Sequence, residues 1–170
     1  MLDRLECPAR VAYAQQAPPG GDGQNQAALL GDLIHRAMEL VVVANEEPSD
    51  AWACAVSELV DKGLPVGAIA GIGRIKARFR RGAAAVSEFL ATMPAIAEPV
   101  GETELVSECG TVRGTPDLVW FTEKGMVVID YKSGMVSNEK GTKPGYIRQL
   151  QLYSALASQR YHRPVAKAVL

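Results

Sequence analysis

The chain has 170 residues, 48% of them hydrophobic and 22% charged, and its formal net charge is −1. This composition is typical of a single globular domain, which we expect to span residues 1–170, and it excludes a disordered chain. No apolar run is long enough to span a membrane, no secretory leader is expected at the N-terminus, and three widely spaced cysteines favour a reducing cytoplasm over a disulfide framework.

The first half of the chain predicts helices. Residues 1–16 predict a short helix or turn, and residues 17–26, rich in Pro, Gly and polar residues, predict a flexible loop. Three helices are then expected over residues 28–45, 50–62 and 70–92, because apolar residues recur at helical spacing and Gly or Pro follows each segment.

The third predicted helix contains the only dense basic run of the sequence: Arg74, Lys76, Arg78, Arg80 and Arg81. Three of these, Arg74, Arg78 and Arg81, fall on one helical stripe, which suits a phosphate backbone. A solvated helix face is the commoner explanation for such a run. Because the net charge is only −1, any basic surface for nucleic acid must be local, or a partner must deliver the strand.

The second half of the chain predicts strands. Segments 101–108, 111–121 and 126–132 are expected to form a three-strand meander. The remaining elements follow in chain order: a charged loop over residues 133–145, a helix over 146–159 and a strand over 165–170. The predicted fold class is α/β (α+β), in which helices flank a mixed sheet made of the meander and the further strand.

A tight turn centred on Glu123-Lys124 brings two acidic residues together. In that hairpin register Asp117 faces Asp130, and directly opposed side chains have Cβ atoms about 4.5–5.5 Å apart. A bulge at Gly125 would shift the register by one residue. The facing pair is therefore the expected arrangement, and the shifted register is its alternative.

One face of this hairpin is expected to hold two carboxylates and an ammonium group. Side chains alternate along a strand, so Lys132 shares a face with Asp130 while Tyr131 points to the other. Two close carboxylates repel each other, and a divalent cation with oxygen ligands, such as Mg²⁺, would compensate them. The alternative is a surface salt bridge between Asp130 and Lys132, but the apolar residues 127–129 indicate a largely buried strand.

These residues resemble the core of a known enzyme family. Gly114-Thr-Pro-Asp117, followed by Val128-Ile-Asp130-Tyr-Lys132, resembles the core of the PD-(D/E)XK nucleases in the RecB-like form of the AddA, AddB and RecB helicase-nucleases. Three further matches stand in the order typical of the family. They are Gly31-Asp-Leu-Ile-His35 (a helix with a metal-binding histidine), Gln149-Leu-Gln-Leu-Tyr153 (a Q-x-x-x-Y helix) and Leu5-Glu-Cys7-Pro8 (an opening segment).

The resemblance implies a restriction-endonuclease-like core and a set of site residues. Asp117 and Asp130 would be acidic metal ligands, and Lys132 would be the catalytic lysine. His35 would be a further metal ligand, as would the backbone carbonyl of Tyr131. The metal would be Mg²⁺, for which Mn²⁺ can substitute. Taken alone, a histidine on an apolar helix is more often a core residue.

Four further residues have open interpretations. Gln149 and Tyr153 lie one helical turn apart on one face, and the resemblance implies that they bind DNA or support the site. Gln149 could instead cap a neighbouring strand, and Tyr153 could belong to the core. Glu102 and Glu104 share one side of the first predicted strand, and a solvated strand face is the favoured interpretation over an approach to the metal.

The function implied is Mg²⁺-dependent, exonuclease-like hydrolysis of DNA ends or single strands in DNA repair and recombination. A helicase domain or subunit is a possible partner, since the sequence has no G-x-x-x-x-G-K-[ST] motif. No cysteine follows Cys109, so the iron–sulfur cluster of some relatives is not expected. The alternative is a catalytically silent DNA-binding or scaffolding module with the same fold.

Overall fold

The computed structural model describes residues 22–132, 137–138 and 141–170. By its contacts the chain divides into two compact units, a helical unit within residues 20–94 and a sheet unit within residues 95–170, and each is described by itself. The predicted helix or turn at residues 1–16, including the Cys7-Pro8 segment, lies outside the described residues.

The helical unit contains three helices in chain order. They are α1 (Asp22–Val42), α2 (Pro48–Asp61) and α3 (Ile72–Ala91), and a 3-10 turn at Val66–Ala68 precedes α3. Because α1 begins at Asp22, the end of the predicted flexible loop is helical. The stretch from residue 24 to 28 is Gln-Asn-Gln-Ala-Ala, and Gln and Ala favour a helix, whereas the Pro and Gly residues of this loop occur before or at residue 23.

Apolar side chains and one charged cluster hold the helical unit together. Trp52 of α2 and Phe79 of α3 are both buried, and their ring centroids lie 5.2 Å apart. Arg36 of α1 binds Glu58 of α2 through two hydrogen bonds of 2.7 and 2.8 Å, and it also binds Glu39 at 2.6 Å. Such a bidentate pair fixes both position and orientation, so Arg36 sets the register of α1 against α2.

The second unit is built around a four-stranded sheet. In spatial order its strands are β1 (Val100–Gly101), β4 (Leu118–Thr122), β5 (Gly125–Ile129) and β8 (Val165–Val169). The first three are antiparallel neighbours, which confirms the predicted meander, and β8 pairs with β5 in parallel. The mixed sheet therefore agrees with the predicted fold class.

Two short hairpins differ from the predicted elements, one within the predicted strands and one within a predicted loop. Instead of a continuous strand over 101–108, the chain forms β1 and then β2 (Leu105–Val106), which pairs with β3 (Arg113–Gly114) in a separate two-stranded sheet. Glu102, whose φ of 36° is incompatible with a strand, ends β1. Within the predicted loop at 133–145, β6 (Ser137–Asn138) pairs with β7 (Gly141–Thr142).

Helix α4 (Pro144–Tyr161) packs on the sheet unit and joins β7 to β8. The core of this unit is one cluster of buried side chains from β2, β4, β5 and α4. Its members are Leu105, Val119, Phe121, Met126, Val128, Tyr153, Leu156 and Ala157. Within the described ranges, no helix combines the length and apolar character needed to cross a membrane.

Candidate active site

The hairpin register places Asp117 and Asp130 at the open end of β4 and β5. Leu118 pairs with Ile129 at that end, and Thr122 pairs with Gly125 at the turn, so the predicted register is confirmed without a shift between these two strands. Continuing the register by one residue brings position 117 opposite position 130. Asp117 is 8% exposed and Asp130 is 2% exposed, so both acids lie where an uncompensated charge is costly.

The Asp117 carboxylate closes the end of the hairpin. The backbone N–H of Tyr131 donates a hydrogen bond to Asp117 Oδ2. The Asp117 side chain therefore reaches the backbone of the residue between Asp130 and Lys132. Burial, and secondly the charge of Asp117, raises the pKa of the Tyr131 hydroxyl well above its usual range, so Tyr131 stays protonated and uncharged beside the two acids.

Lys132 forms an ion pair with Asp130, between Lys132 Nζ and Asp130 Oδ2. This pair confirms that both side chains lie on one face, as the strand alternation predicts. The backbone of Asp130 is held from the other side, because its N–H donates to Val169 O of β8 at 3.0 Å. The Tyr146 ring in the first turn of α4 lies 5.2 Å from Lys132 Nζ, within the range of a cation–π contact. Strand β8 and helix α4 thus position the Asp130–Lys132 pair.

Glu102 joins Asp117 at this end of the sheet, which the sequence analysis did not favour. The backbone N–H of Glu102 donates to Asp117 O at 3.2 Å, and a carboxylate oxygen of Glu102 lies within 4.8 Å of one of Asp117. Glu102 also has a positive φ of 36°. A positive φ costs a non-glycine residue about 1–3 kcal/mol, and such residues are concentrated at functional sites. The sequence signal for Glu102 is an acidic residue directly after the strand that pairs with the Asp117 strand.

The donor atoms of this cluster fit a hard divalent cation. Asp117 and Glu102 offer carboxylate oxygens within 4.8 Å of each other, and Asp130 supplies another buried carboxylate at the same hairpin end. Mg²⁺ prefers oxygen ligands, takes few carboxylates and retains several waters. Lys132 lies beside these acids. Metal-assisted hydrolysis of a phosphodiester uses such a group to orient water or to stabilise negative charge.

Comparison with protein families shows which family the chain belongs to. The model of the PD-(D/E)XK nuclease superfamily matches residues 4–170, almost the whole chain. The chain belongs to the PD-(D/E)XK nuclease superfamily. Members of this superfamily are generally metal-dependent nucleases. No curated protein and no solved structure gives a significant match.

The Gln149–Tyr153 motif of this PD-(D/E)XK protein lies on α4 and packs against Gly114 of the core motif. Gln149 Nε2 donates to Tyr153 Oη at 2.7 Å, so the two side chains share a face as predicted. The Tyr153 ring belongs to the hydrophobic core and lies against Gly114 of β3. The core interpretation of Tyr153 therefore holds for its ring, while Gln149 is half-buried, and contact of either residue with DNA stays a prediction.

Gly114 is expected to tolerate no side chain, because an added Cβ would lie 2.6 Å from Tyr153 Cε1 and 2.8 Å from Cδ1. We predict that Gly114→Ala lowers the free energy of unfolding by about 1–3 kcal/mol, the usual cost of overpacking a core. Urea denaturation measures the change. The matched control is Gly145→Ala, where an added Cβ meets nothing within 4 Å. Equal stability of the two variants would disprove this account of Gly114.

His35 lies on α1 of the helical unit and is half-buried. Its role as a metal ligand stays a prediction from the motif Gly31-Asp-Leu-Ile-His35. The role of the Tyr131 backbone carbonyl as a metal ligand also stays a prediction. The group of Tyr131 that binds Asp117 is its backbone N–H.

Proposed function

We propose that this member of the PD-(D/E)XK superfamily is a Mg²⁺-dependent deoxyribonuclease with its active site at the open end of the β4–β5 hairpin. One observation carries the proposal: the hairpin register, the Tyr131–Asp117 bond and the Asp130–Lys132 pair gather two buried carboxylates and a lysine at one strand end. A stable core rarely collects these charges without a ligand.

Each residue has a distinct role in the proposed reaction. Asp117 and Asp130 hold the metal, with Glu102 as a further acidic ligand supported by its distance to Asp117. His35 and the Tyr131 carbonyl are proposed as additional ligands on the strength of the family motifs. When bound, Mg²⁺ would polarise a phosphate oxygen and acidify a water molecule.

Lys132 acts on the substrate side of this site. Its side chain is 17% exposed, which leaves it accessible to a phosphate but poorly screened by solvent. In the structure it neutralises Asp130. With a metal ion held by the acidic residues, the Lys132 ammonium would be available to orient the attacking water or to stabilise the negative charge that grows on the phosphate.

The proposed substrate is a DNA end or a single strand, cut in an exonuclease-like manner during DNA repair or recombination in the cytoplasm. The family motifs support this choice, with Gln149 and Tyr153 as substrate-side residues. A near-neutral chain lacks a broad field for attracting DNA, which supports a helicase domain or subunit that feeds the strand to the site.

The decisive experiment is incubation of the purified chain with end-labelled single-stranded DNA and either Mg²⁺ or Mn²⁺. We expect shortened products with either metal, none in EDTA and none with Asp130→Ala. Cleavage that survives EDTA or Asp130→Ala would contradict the proposed metal mechanism. DNA binding without cleavage under any metal would favour the alternative, a catalytically silent DNA-binding module.

A further inference from the structure

The most basic segment of the described chain is α3, far from the charges of the active site in sequence. This helix contains five basic residues and one acidic residue, a net charge of +4 in a chain whose net charge is −1. Arg74, Arg78 and Arg81 are exposed. With 3.6 residues per turn they fall within an arc of about 60°, and we call them the arginine stripe.

The arginine stripe lies opposite the buried face of α3. Phe79, Ala83 and Leu90 are buried, and helical geometry puts them roughly 150° around the axis from the stripe. The three guanidinium groups thus start from one outward-facing row about 10 Å long, given a rise of about 1.5 Å per residue. A row of this kind matches a linear anion with repeated charges better than a single small ligand.

The stripe is electrostatically unfavourable for the isolated helix. Like charges spaced three or four residues apart repel, by about 0.2–0.5 kcal/mol per pair. Arg74 also lies in the first turn, where positive charge opposes the helix dipole and no acidic residue offsets it. Among the described acidic residues none forms an ion pair with the stripe, whereas Arg36 of the same unit binds two glutamates.

We propose that the arginine stripe binds the phosphate backbone of the DNA strand, a role that rests on the proposed nuclease function and gives it a local surface for holding substrate. Phosphate binding relieves the repulsion within the row, since each phosphate carries one negative charge. It also explains how a chain with a net charge of −1 binds DNA, because the positive charge is concentrated on one helix. Because the stripe would contact only phosphates, this binding would be independent of base sequence.

The test is binding of a fluorescent oligothymidylate in EDTA, measured by anisotropy over a series of salt concentrations. For single strands the slope of log affinity against log salt is about −0.7 per phosphate contact. The triple variant Arg74→Gln, Arg78→Gln, Arg81→Gln is expected to flatten the slope by about 2 and to weaken binding at low salt about tenfold or more. The triple Arg→Lys variant, which keeps the charges, is expected to retain most of the slope.

A charge-matched control removes three exposed basic residues elsewhere, through Arg113→Gln, Lys124→Gln and Arg160→Gln. The proposal would be overturned if the control lost as much affinity and slope as the stripe variant. It would also be overturned if the slope of the stripe variant were unchanged, or if the natural chain did not bind the oligonucleotide. Cleavage of the same oligonucleotide by the natural chain is measured separately. If the natural chain cleaves DNA but the stripe variant keeps the natural salt slope, only the stripe proposal is refuted. If the stripe variant has the flatter slope but the natural chain does not cleave DNA, only the nuclease function is refuted.

Discussion

Lys132→Ala is expected to lower the rate of DNA cleavage about 10²–10³-fold, the usual cost of removing one group that stabilises developing charge. The fall should appear in kcat more than in KM, because Lys132 acts on charge that grows in the transition state. Cleavage of labelled single-stranded DNA under single-turnover conditions measures it. Lys124→Ala, a substitution of an exposed lysine in the turn of the same hairpin, is the matched control and should leave the rate unchanged.

The same substitution is expected to separate catalysis from folding. Removing Lys132 takes a partner from the buried Asp130 carboxylate, so the metal-free variant should lose about 1–3 kcal/mol of stability. Added Mg²⁺ should restore part of this loss while cleavage stays low. Lys132→Arg keeps the charge but changes the shape of the donor, and we expect it to recover stability more than activity. Full activity in Lys132→Ala would contradict the catalytic role.

The central hairpin was predictable because its determinants are local. The turn residues 122–125 fix a two-residue loop, and side chains alternate strictly along each strand. From these two rules the register of Asp117 and Asp130, and the shared face of Asp130 and Lys132, follow without knowledge of the rest of the fold. The structure confirms the register, and the Asp130–Lys132 ion pair confirms the shared face.

Features that depend on distant segments were not predictable in the same way. Glu102 is near Asp117 because the chain leaves β1 with a positive φ at that residue, and strand periodicity contains no signal for such a break. The Tyr146 ring reaches Lys132 only because α4 begins beside the end of β5. The contact of Gly114 with Tyr153 joins residues 39 positions apart, and only tertiary packing creates it.

Packing contacts link the hairpin residues Gly114 and Lys132 to helix α4. Gly114 allows the Tyr153 ring to pack, the ring fixes α4 on the sheet, and α4 presents Tyr146 to Lys132. The Gln149–Tyr153 motif on α4 therefore supports the position of the hairpin residues, in addition to any role in chemistry. A substitution at Gly114 or Tyr153 should for this reason affect stability first and activity second, whereas one at Lys132 should do the reverse.

Asp117→Asn is expected to slow cleavage strongly and to abolish stabilisation by metal while the chain stays folded. Asparagine keeps an oxygen that can accept the Tyr131 N–H, so the end of the hairpin is preserved. It lacks the charge that binds Mg²⁺. The rate should fall about 10³-fold, which corresponds to about 4 kcal/mol of transition-state stabilisation. Thermal or urea unfolding with and without Mn²⁺ measures the second effect. At a metal concentration 100 times Kd, the natural chain should gain about 2.7 kcal/mol.

Two further acidic residues make this prediction specific. Glu104→Gln changes an exposed glutamate that pairs with Arg113, and it should leave the gain from Mn²⁺ intact. Glu102→Gln should reduce that gain, since its carboxylate lies within 4.8 Å of the Asp117 carboxylate. If Mn²⁺ stabilises Asp117→Asn as strongly as the natural chain, the metal is bound elsewhere and the hairpin end is not its site. If Glu102→Gln alone has no effect, the cluster of two aspartates binds the metal without help from the neighbouring strand.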